Sequence, residues 1–290
     1  IILNIFKKKI ISKQFNLDNL FYNELNLPFI GQTGIFKSVK SAIEIALFDI
    51  VSQKKQEPLY KTLNALSKNK SIEVYASGGS VIFNESQIVA EVEEIQKKEF
   101  KNYKMRVGFQ NIENDFRRVK ASRNQLGSNG LMLDAIMGTL IKKWKIEDCL
   151  NMIEILKEFN PIWLEEPLDP QELLAYSDLN KLSKIDIAFG ESFTSFNEFL
   201  CALNNNCSKY LQPDATHCGY LDLIRLLNHI EDYKNVKIAL HVWGSPISLL
   251  ANMHFAIAFN KISFLEIPMV KLDFLNHKIK SIYEIKNGLL

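Results

Sequence analysis

From Ile72 onward the chain keeps a regular beat of apolar and polar positions. Short β-prone runs recur as IEVYASG from Ile72, NYKMRVG from Asn102, GLMLDAI from Gly130, PIWLEEP from Pro161, DIAFGES from Asp186, KYLQPDA from Lys209, VKIALHVW from Val236 and ISFLEIP from Ile262. Between them, apolar residues fall at helical spacing. Ile88, Val89, Val92 and Ile95 make one face, Leu150, Ile153 and Leu156 another, and Leu221, Ile224, Leu227 and Ile230 a third. Strands alternating with helices in this way are the signature of a (β/α)8 barrel. No internal sequence repeat accompanies the pattern. Residues 1–71 read differently, as mostly helical. Within them Ser38–Lys61 places Ile43, Ile45, Ala46, Ile50 and Val51 as an amphipathic helix, and Pro58 marks its end because proline cannot continue the backbone bonding.

A polar or ionisable residue stands near the C-terminal end of every predicted strand: Ser77, Arg106, Asp134, Glu165, Glu191, Asp214, His241 and Glu266. Successive members lie 23 to 31 residues apart, about one βα unit. In a barrel such residues converge on one rim, where barrel enzymes keep their chemistry. The plainer reading, satisfied polar residues in loops, explains one such position more easily than a whole series in register.

Composition narrows the classes. The chain has 290 residues, 47% hydrophobic and 23% charged, which is ordinary globular usage. Lys and Arg total 35 against 33 Asp and Glu, with no basic stripe, so nucleic acid is not an expected partner. No apolar run is long enough for a membrane span; the greasiest stretch, Ile247 to Phe259, is interrupted by Asn252 and His254. Four scattered cysteines without a CxxC pair indicate neither a disulfide framework nor a cysteine zinc site, which favours a reducing cytoplasm. Only five of the 35 basic residues are Arg, so an Arg in this chain is a selected choice.

Asp134, Glu165 and Glu191 come from three consecutive strands and are expected to be neighbours. Three carboxylates that close raise each other's pKa, and a cation removes the conflict. An all-oxygen set suits Mg²⁺ or Mn²⁺ rather than zinc; salt bridges to Lys or Arg are the bland alternative. Glu166 is ambiguous, since successive strand residues point to opposite sides unless the strand ends there. His241 and Asp214 lie on adjacent strands, the arrangement of an oriented acid/base imidazole. His217, His229, His254 and His277 lack such a neighbour. Lys104 and Arg106, at i and i+2, share the inward face of strand two and need anionic company there. An ion-paired interior without chemical role is the competing explanation.

These residues resemble the mandelate racemase/muconate lactonizing group of the enolase superfamily. SAIEIALFDI (41–50) is similar to the helix closing that group's cap, and LMLDA (131–135), WLEEPL (163–168), FGES (189–192), QPDATHCGY (212–220) and LHVWGSP (240–246) resemble its successive strand-end motifs. The resemblance implies an α/β fold, a modified (β/α)7β TIM barrel, with a partial α+β cap over 1–71 and a barrel over 72–290 whose C-terminus returns toward the cap. It implies Mg²⁺ held by Asp134, Glu165 and Glu191, a His241–Asp214 dyad, and stabilisation of an enediolate, as is general for the superfamily. Homo-oligomers are expected, as is a small carboxylate substrate.

Three departures carry information. The group's Lys-x-Lys is here Lys104–Met105–Arg106, the Asn two residues after the first metal ligand is Ile136, and both flanks are short. The lid is therefore expected to be incomplete, and the natural N-terminus to lie before Ile1. Arg106 stays protonated at neutral pH and is a poor base, which disfavours racemisation, a reaction needing a base on each face. The expectation is an acid-sugar dehydratase in which His241 is base and acid, Asp214 its orienter, Lys104 and Arg106 an electrostatic wall, and Glu266 a hydrogen-bonding electrophile. A racemase or epimerase using Lys104, and a non-catalytic barrel that binds sugar acids, are the alternatives.

Overall fold

Eight parallel strands pair in chain order and close on themselves, β1 against β8. In this computed structural model the described residues are 31–68, 71–269 and 283–290, together with Asn4, Phe6, Lys7 and Ile11. Most of the expected helical region before residue 31, and His277, lie outside them. The strands are β1 (Val74–Ser77), β2 (Asn102–Arg106), β3 (Gly130–Asp134), β4 (Leu164–Glu165), β5 (Ile187–Phe189), β6 (Tyr210–Leu211), β7 (Lys237–Leu240) and β8 (Ile262–Pro268). Each of the first seven leads into a helix: α3 (Glu85–Lys97), α4 (Ile112–Leu126), α5 (Ile146–Leu156), α6 (Leu173–Leu182), α7 (Phe196–Asn204), α8 (Ala215–His229) and α9 (Pro246–Ala258). That is the expected (β/α)7β order. Among the described residues no helix is long and apolar enough to cross a membrane.

The strand period of two explains how the site is placed. Tyr75, Met132, Ala188, Tyr210, Ala239 and Phe264, from six of the strands, form one interior layer with Trp163, which immediately precedes β4. Tyr75 and Trp163 meet edge-on at 5.5 Å, and Trp163 meets Phe264 at 5.7 Å, arrangements that aromatic quadrupoles favour. Two residues further along each strand the chain again faces inward, now at the rim. Those positions are Ser77, Asp134, Glu165, Gln212, His241 and Glu266. Register locks neighbours together: Arg106 pairs with Asp134, and Asp134 with Glu165.

Two helices precede the barrel, α1 (Ile35–Lys55) and α2 (Leu59–Leu63). The first ends earlier than the periodicity suggests. Gln56 takes a left-handed backbone, φ 54°, and Glu57 precedes a proline, which disfavours helix. Pro58 then opens α2 rather than simply closing α1. The first helix packs chiefly on α8: Lys37 pairs with Asp222 at 2.9 Å, Ser41 Oγ donates to the Ala215 carbonyl at 2.6 Å, and Glu44 accepts from Leu221 N–H at 2.7 Å. Helix α8 is broken at Gly219, φ 79°, where an added Cβ would sit 2.8 Å from a Glu44 oxygen, so only glycine fits. The last residues run beside the entry of β1, with Ile72 N–H donating to the Leu290 carbonyl at 3.0 Å and Leu290 N–H returning at 2.9 Å. Residues 283–290 thus end beside the entry of β1.

Candidate active site

The eight residues given a metal-binding or catalytic role from the sequence meet at the C-terminal rim. Lys104, Arg106, Asp134, Glu191, His241 and Glu266 line one cavity of about 660 Å³. Glu165 and Asp214 lie directly beneath them, fully buried. A larger cavity, about 800 Å³, opens beside α1 between Lys37, Glu44, Asp222 and Arg225, and contains none of these groups. Charge and convergence, rather than size, single out the smaller one.

His241 Nδ1 is 3.0 Å from Asp214 Oδ2. Asp214 caps α8 through Thr216 N–H at 2.8 Å, and its Oδ1 accepts from Asn252 Nδ2 at 2.9 Å. Burial alone would raise the Asp214 carboxyl; the His241 hydrogen bond and charge outweigh it and hold it low. On the other ring nitrogen, His241 Nε2 lies 3.6 Å from Glu191 Oε2 and 3.9 Å from Glu266 Oε2. Burial would push His241 down, but Glu191, Glu266 and Asp214 together carry it up to about 10. In this arrangement His241 is an imidazolium at neutral pH.

Lys104 is the hub of the opposite wall. Its ammonium pairs most closely with Glu165, reaches Glu266 Oε1 at 3.0 Å and stands 3.7 Å from Asp134 Oδ2. Burial works against its charge, yet Glu165 and Glu266 hold its pKa well above the usual lysine value. Arg106 donates to the Gly78 carbonyl at 2.8 Å and stacks on Trp243, 4.6 Å from guanidinium carbon to ring centre. Glu266, steadied by Val242 N–H at 2.9 Å, is held low by Lys104 and His241 against the effect of burial.

The acids show the strain expected of neighbouring carboxylates. Burial raises Asp134, Glu165 and Glu191; Glu191 raises Asp134 further, Asp134 raises Glu165, and Glu165 raises Glu191. Glu166 joins them. The strand ends at Glu165, and a left-handed backbone at Glu166, φ 39°, turns its side chain back toward the rim. Its Oε1 is buried without a partner among the described residues, and burial with Glu191, Asp134 and Glu165 raises its pKa well above the usual range. The all-oxygen donor set and its excess of negative charge fit a hard divalent cation. Among the described residues no three acids already surround a common point. Glu165 is engaged on both oxygens, by Lys104 and by Trp163 Nε1 at 2.9 Å and Gln212 Nε2 at 2.6 Å. Three donors leave Glu165 one acceptor site, on the oxygen that Lys104 holds, and Glu166 lies beside it as a further oxygen donor.

Other contributors escaped sequence reasoning. His217 was set aside for want of a neighbour, and the structure corrects that: it lines the cavity, its ring centre 6.1 Å from that of His241. The neighbour comes from the next strand, not from adjacent sequence. Asn252 orients Asp214, and its interruption of an apolar run was the available signal. Gln212 follows the inward period of two from Tyr210. Ile136 carries a left-handed backbone, φ 44°, where the resembled group has Asn, and its N–H donates to Asp134 Oδ1 at 2.9 Å. A β-branched residue in that conformation costs about 1–3 kcal/mol. His229 and His254 lie on helices away from the cavity, as expected.

An enolase C-terminal domain-like family model matches residues 87–290. L-talarate/galactarate dehydratase of Salmonella typhimurium LT2 is 28% identical over 261 residues, covering 89% of this chain and 62% of that protein. D-galactarolactone cycloisomerase of Agrobacterium fabrum is 28% identical over 232 residues, covering 79% of this chain and 60% of that protein. The solved structure of the Salmonella dehydratase liganded with Mg and L-lyxarohydroxamate superposes with a TM-score of 0.75 at 26% identity, covering 89% of this chain and 63% of that one. The chain spans about 60% of the length of these curated relatives.

Proposed function

This chain belongs to the enolase superfamily, and from that membership we propose that it is a Mg²⁺-dependent lyase which removes the α-proton of a sugar acid and eliminates water to give a 2-keto-3-deoxy acid. Residues 1–71 form its partial cap and 72–290 its barrel. Asp134, Glu165 and Glu191 hold the metal, with Glu166 available beside them. Bound there, Mg²⁺ supplies Lewis acidity that draws off the charge developing on the substrate carboxylate as the proton leaves.

The observation that carries this reading is the asymmetry of the two walls. His241 has one nitrogen on Asp214 and the other facing the cavity, so it can take a proton at Nε2 and return it to a departing hydroxyl. Facing it, Lys104 is buried among Glu165, Glu266 and Asp134, which keep it an ammonium. Arg106 is a fixed cation stacked on Trp243. One competent base supports elimination, in which the same group abstracts and then delivers a proton, over racemisation, which needs two. Lys104 and Arg106 instead attract and orient the substrate carboxylate. His241 must be neutral to act as base, and Glu191 is the first of the groups keeping it charged. Engaging Glu191 elsewhere is therefore what readies the imidazole.

The test is incubation with a sugar-acid library and Mg²⁺, scored for 2-keto acid formation. His241→Asn should reduce turnover by at least ~10²-fold, the usual worth of general acid–base catalysis. Full activity in that variant refutes the role. Solvent deuterium entering substrate without keto acid would favour the racemase reading instead.

A further inference from the structure

His217 stands in the first turn of α8, three residues after Asp214, with its side chain at the cavity wall. Its Nδ1 lies 2.8 Å from the backbone carbonyl oxygen of Glu191. A carbonyl oxygen can only accept, so Nδ1 carries the hydrogen and donates. In the neutral ring this leaves Nε2, at the far edge, as an acceptor. Among the described residues Nε2 has no hydrogen-bond partner. Two cations that suit a carboxylate, Lys104 and Arg106, line the same cavity, with Asp134, Glu191 and Glu266 and the hydroxyl-bearing Ser77, Ser80 and Thr139. A bare acceptor nitrogen does not serve a carboxylate. It suits a donor, and a sugar acid offers one type only, its hydroxyl groups.

Building on the sugar-acid reading, we propose that His217 is a specificity-determining residue whose Nε2 accepts a hydrogen bond from a substrate hydroxyl beyond the two reacting carbons. The ring centres of His217 and His241, 6.1 Å apart and inclined by 36°, flank one short stretch of substrate chain. The carbonyl of Glu191 fixes the His217 ring as a second hydrogen bond fixes a metal-bound or catalytic histidine. A hydroxyl of the wrong configuration, or a missing one, leaves Nε2 unpaired inside the closed site, which is how a polar site rejects an analogue.

The experiment measures binding, not turnover. The His241→Asn protein with Mg²⁺ is titrated calorimetrically with five- and six-carbon aldonates and aldarates and with their 4-deoxy counterparts. The same titrations are repeated after adding His217→Phe or His217→Gln, with melting curves confirming that each variant folds. His217→Phe should weaken the preferred hydroxylated acid about tenfold, the scale of one good neutral hydrogen bond, and leave its deoxy counterpart within about twofold. His217→Gln, which retains an acceptor, should recover part of the loss. In the unsubstituted protein a ¹⁵N spectrum should show the Nδ1-protonated tautomer. Equal loss for both ligands, no loss for either, or the Nε2-protonated tautomer overturns the assignment and leaves the lyase reading standing. If no acid binds while His217 is intact, the assignment also falls. The lyase reading falls with it only if the unsubstituted protein forms no 2-keto acid.

Discussion

Glu44→Gln isolates a single buried carboxyl that ties the helical segment to the barrel. Glu44 is 1% exposed, accepts from Leu221 N–H at 2.7 Å, and abuts the break at Gly219 that turns α8. Burial pushes its pKa from 4.5 up to about 7, against the opposing pull of the Leu221 and Tyr220 amides and of Lys37, while Asp222 adds to the rise. Between these two values the folded protein retains a proton that the unfolded chain releases. Stability from this group is complete below about pH 4.5 and declines as pH rises through about 7. A shift from 4.5 to about 7 corresponds to about 3 kcal/mol at 1.36 kcal/mol per unit. Glutamine keeps the acceptor for Leu221 N–H and removes the titration. Urea unfolding of both proteins should give similar stabilities near pH 5, with the variant gaining about 3 kcal/mol relative to wild type by pH 8. Other titrating groups cancel in the difference. A difference that stays constant from pH 5 to 8 refutes the reasoning.

Glu191→Gln removes the chief charge that lifts His241, so the His241 pKa followed by NMR should fall from about 10 toward the ordinary histidine range; an unchanged value contradicts the arrangement. Asn252→Ala leaves the buried Ala215 N–H without its partner and removes one of three donors from Asp214 Oδ1, costing about 1–3 kcal/mol by denaturant unfolding. It should also lower kcat more than it raises KM. Ile136→Asn places a residue tolerant of left-handed backbone at φ 44° and should raise stability by about 1 kcal/mol, read as a higher Tm. Mg²⁺ at a hundredfold excess over its Kd should stabilise the protein by about 2.7 kcal/mol against a chelator control. That gain should disappear in Asp134→Asn.

The barrel was legible because its cause is local. Alternation along each strand puts Tyr75 and Ser77, Met132 and Asp134, Trp163 and Glu165, Ala239 and His241, and Phe264 and Glu266 on one face, whatever else the chain does. The scarcity of arginine was a second local signal. Arg118 is buried with its guanidinium on the carbonyls of Ser80 and Phe83, both at 2.8 Å, and on Asp115 at 2.9 Å, bracing the loop after β1 that walls the cavity. Arg123 forks onto the Phe159 and Asn129 carbonyls. These are tasks for a planar, multiply donating group that lysine performs poorly.

Partnership, by contrast, was settled by closure of the barrel. Lys104 meets Glu165 and Glu266 because β2 stands near both, although Glu266 lies far along the chain. His217 acquires its orientation from a backbone carbonyl on the preceding βα loop, and Glu166 turns inward through a backbone conformation that no alternation rule foresees. The order of residues dictates which side chains reach the rim, since that follows from the two-residue period of each strand. Which of them pair, how much their charges shift, and where an unpaired acceptor remains depend on distances between segments that only the folded ring brings together.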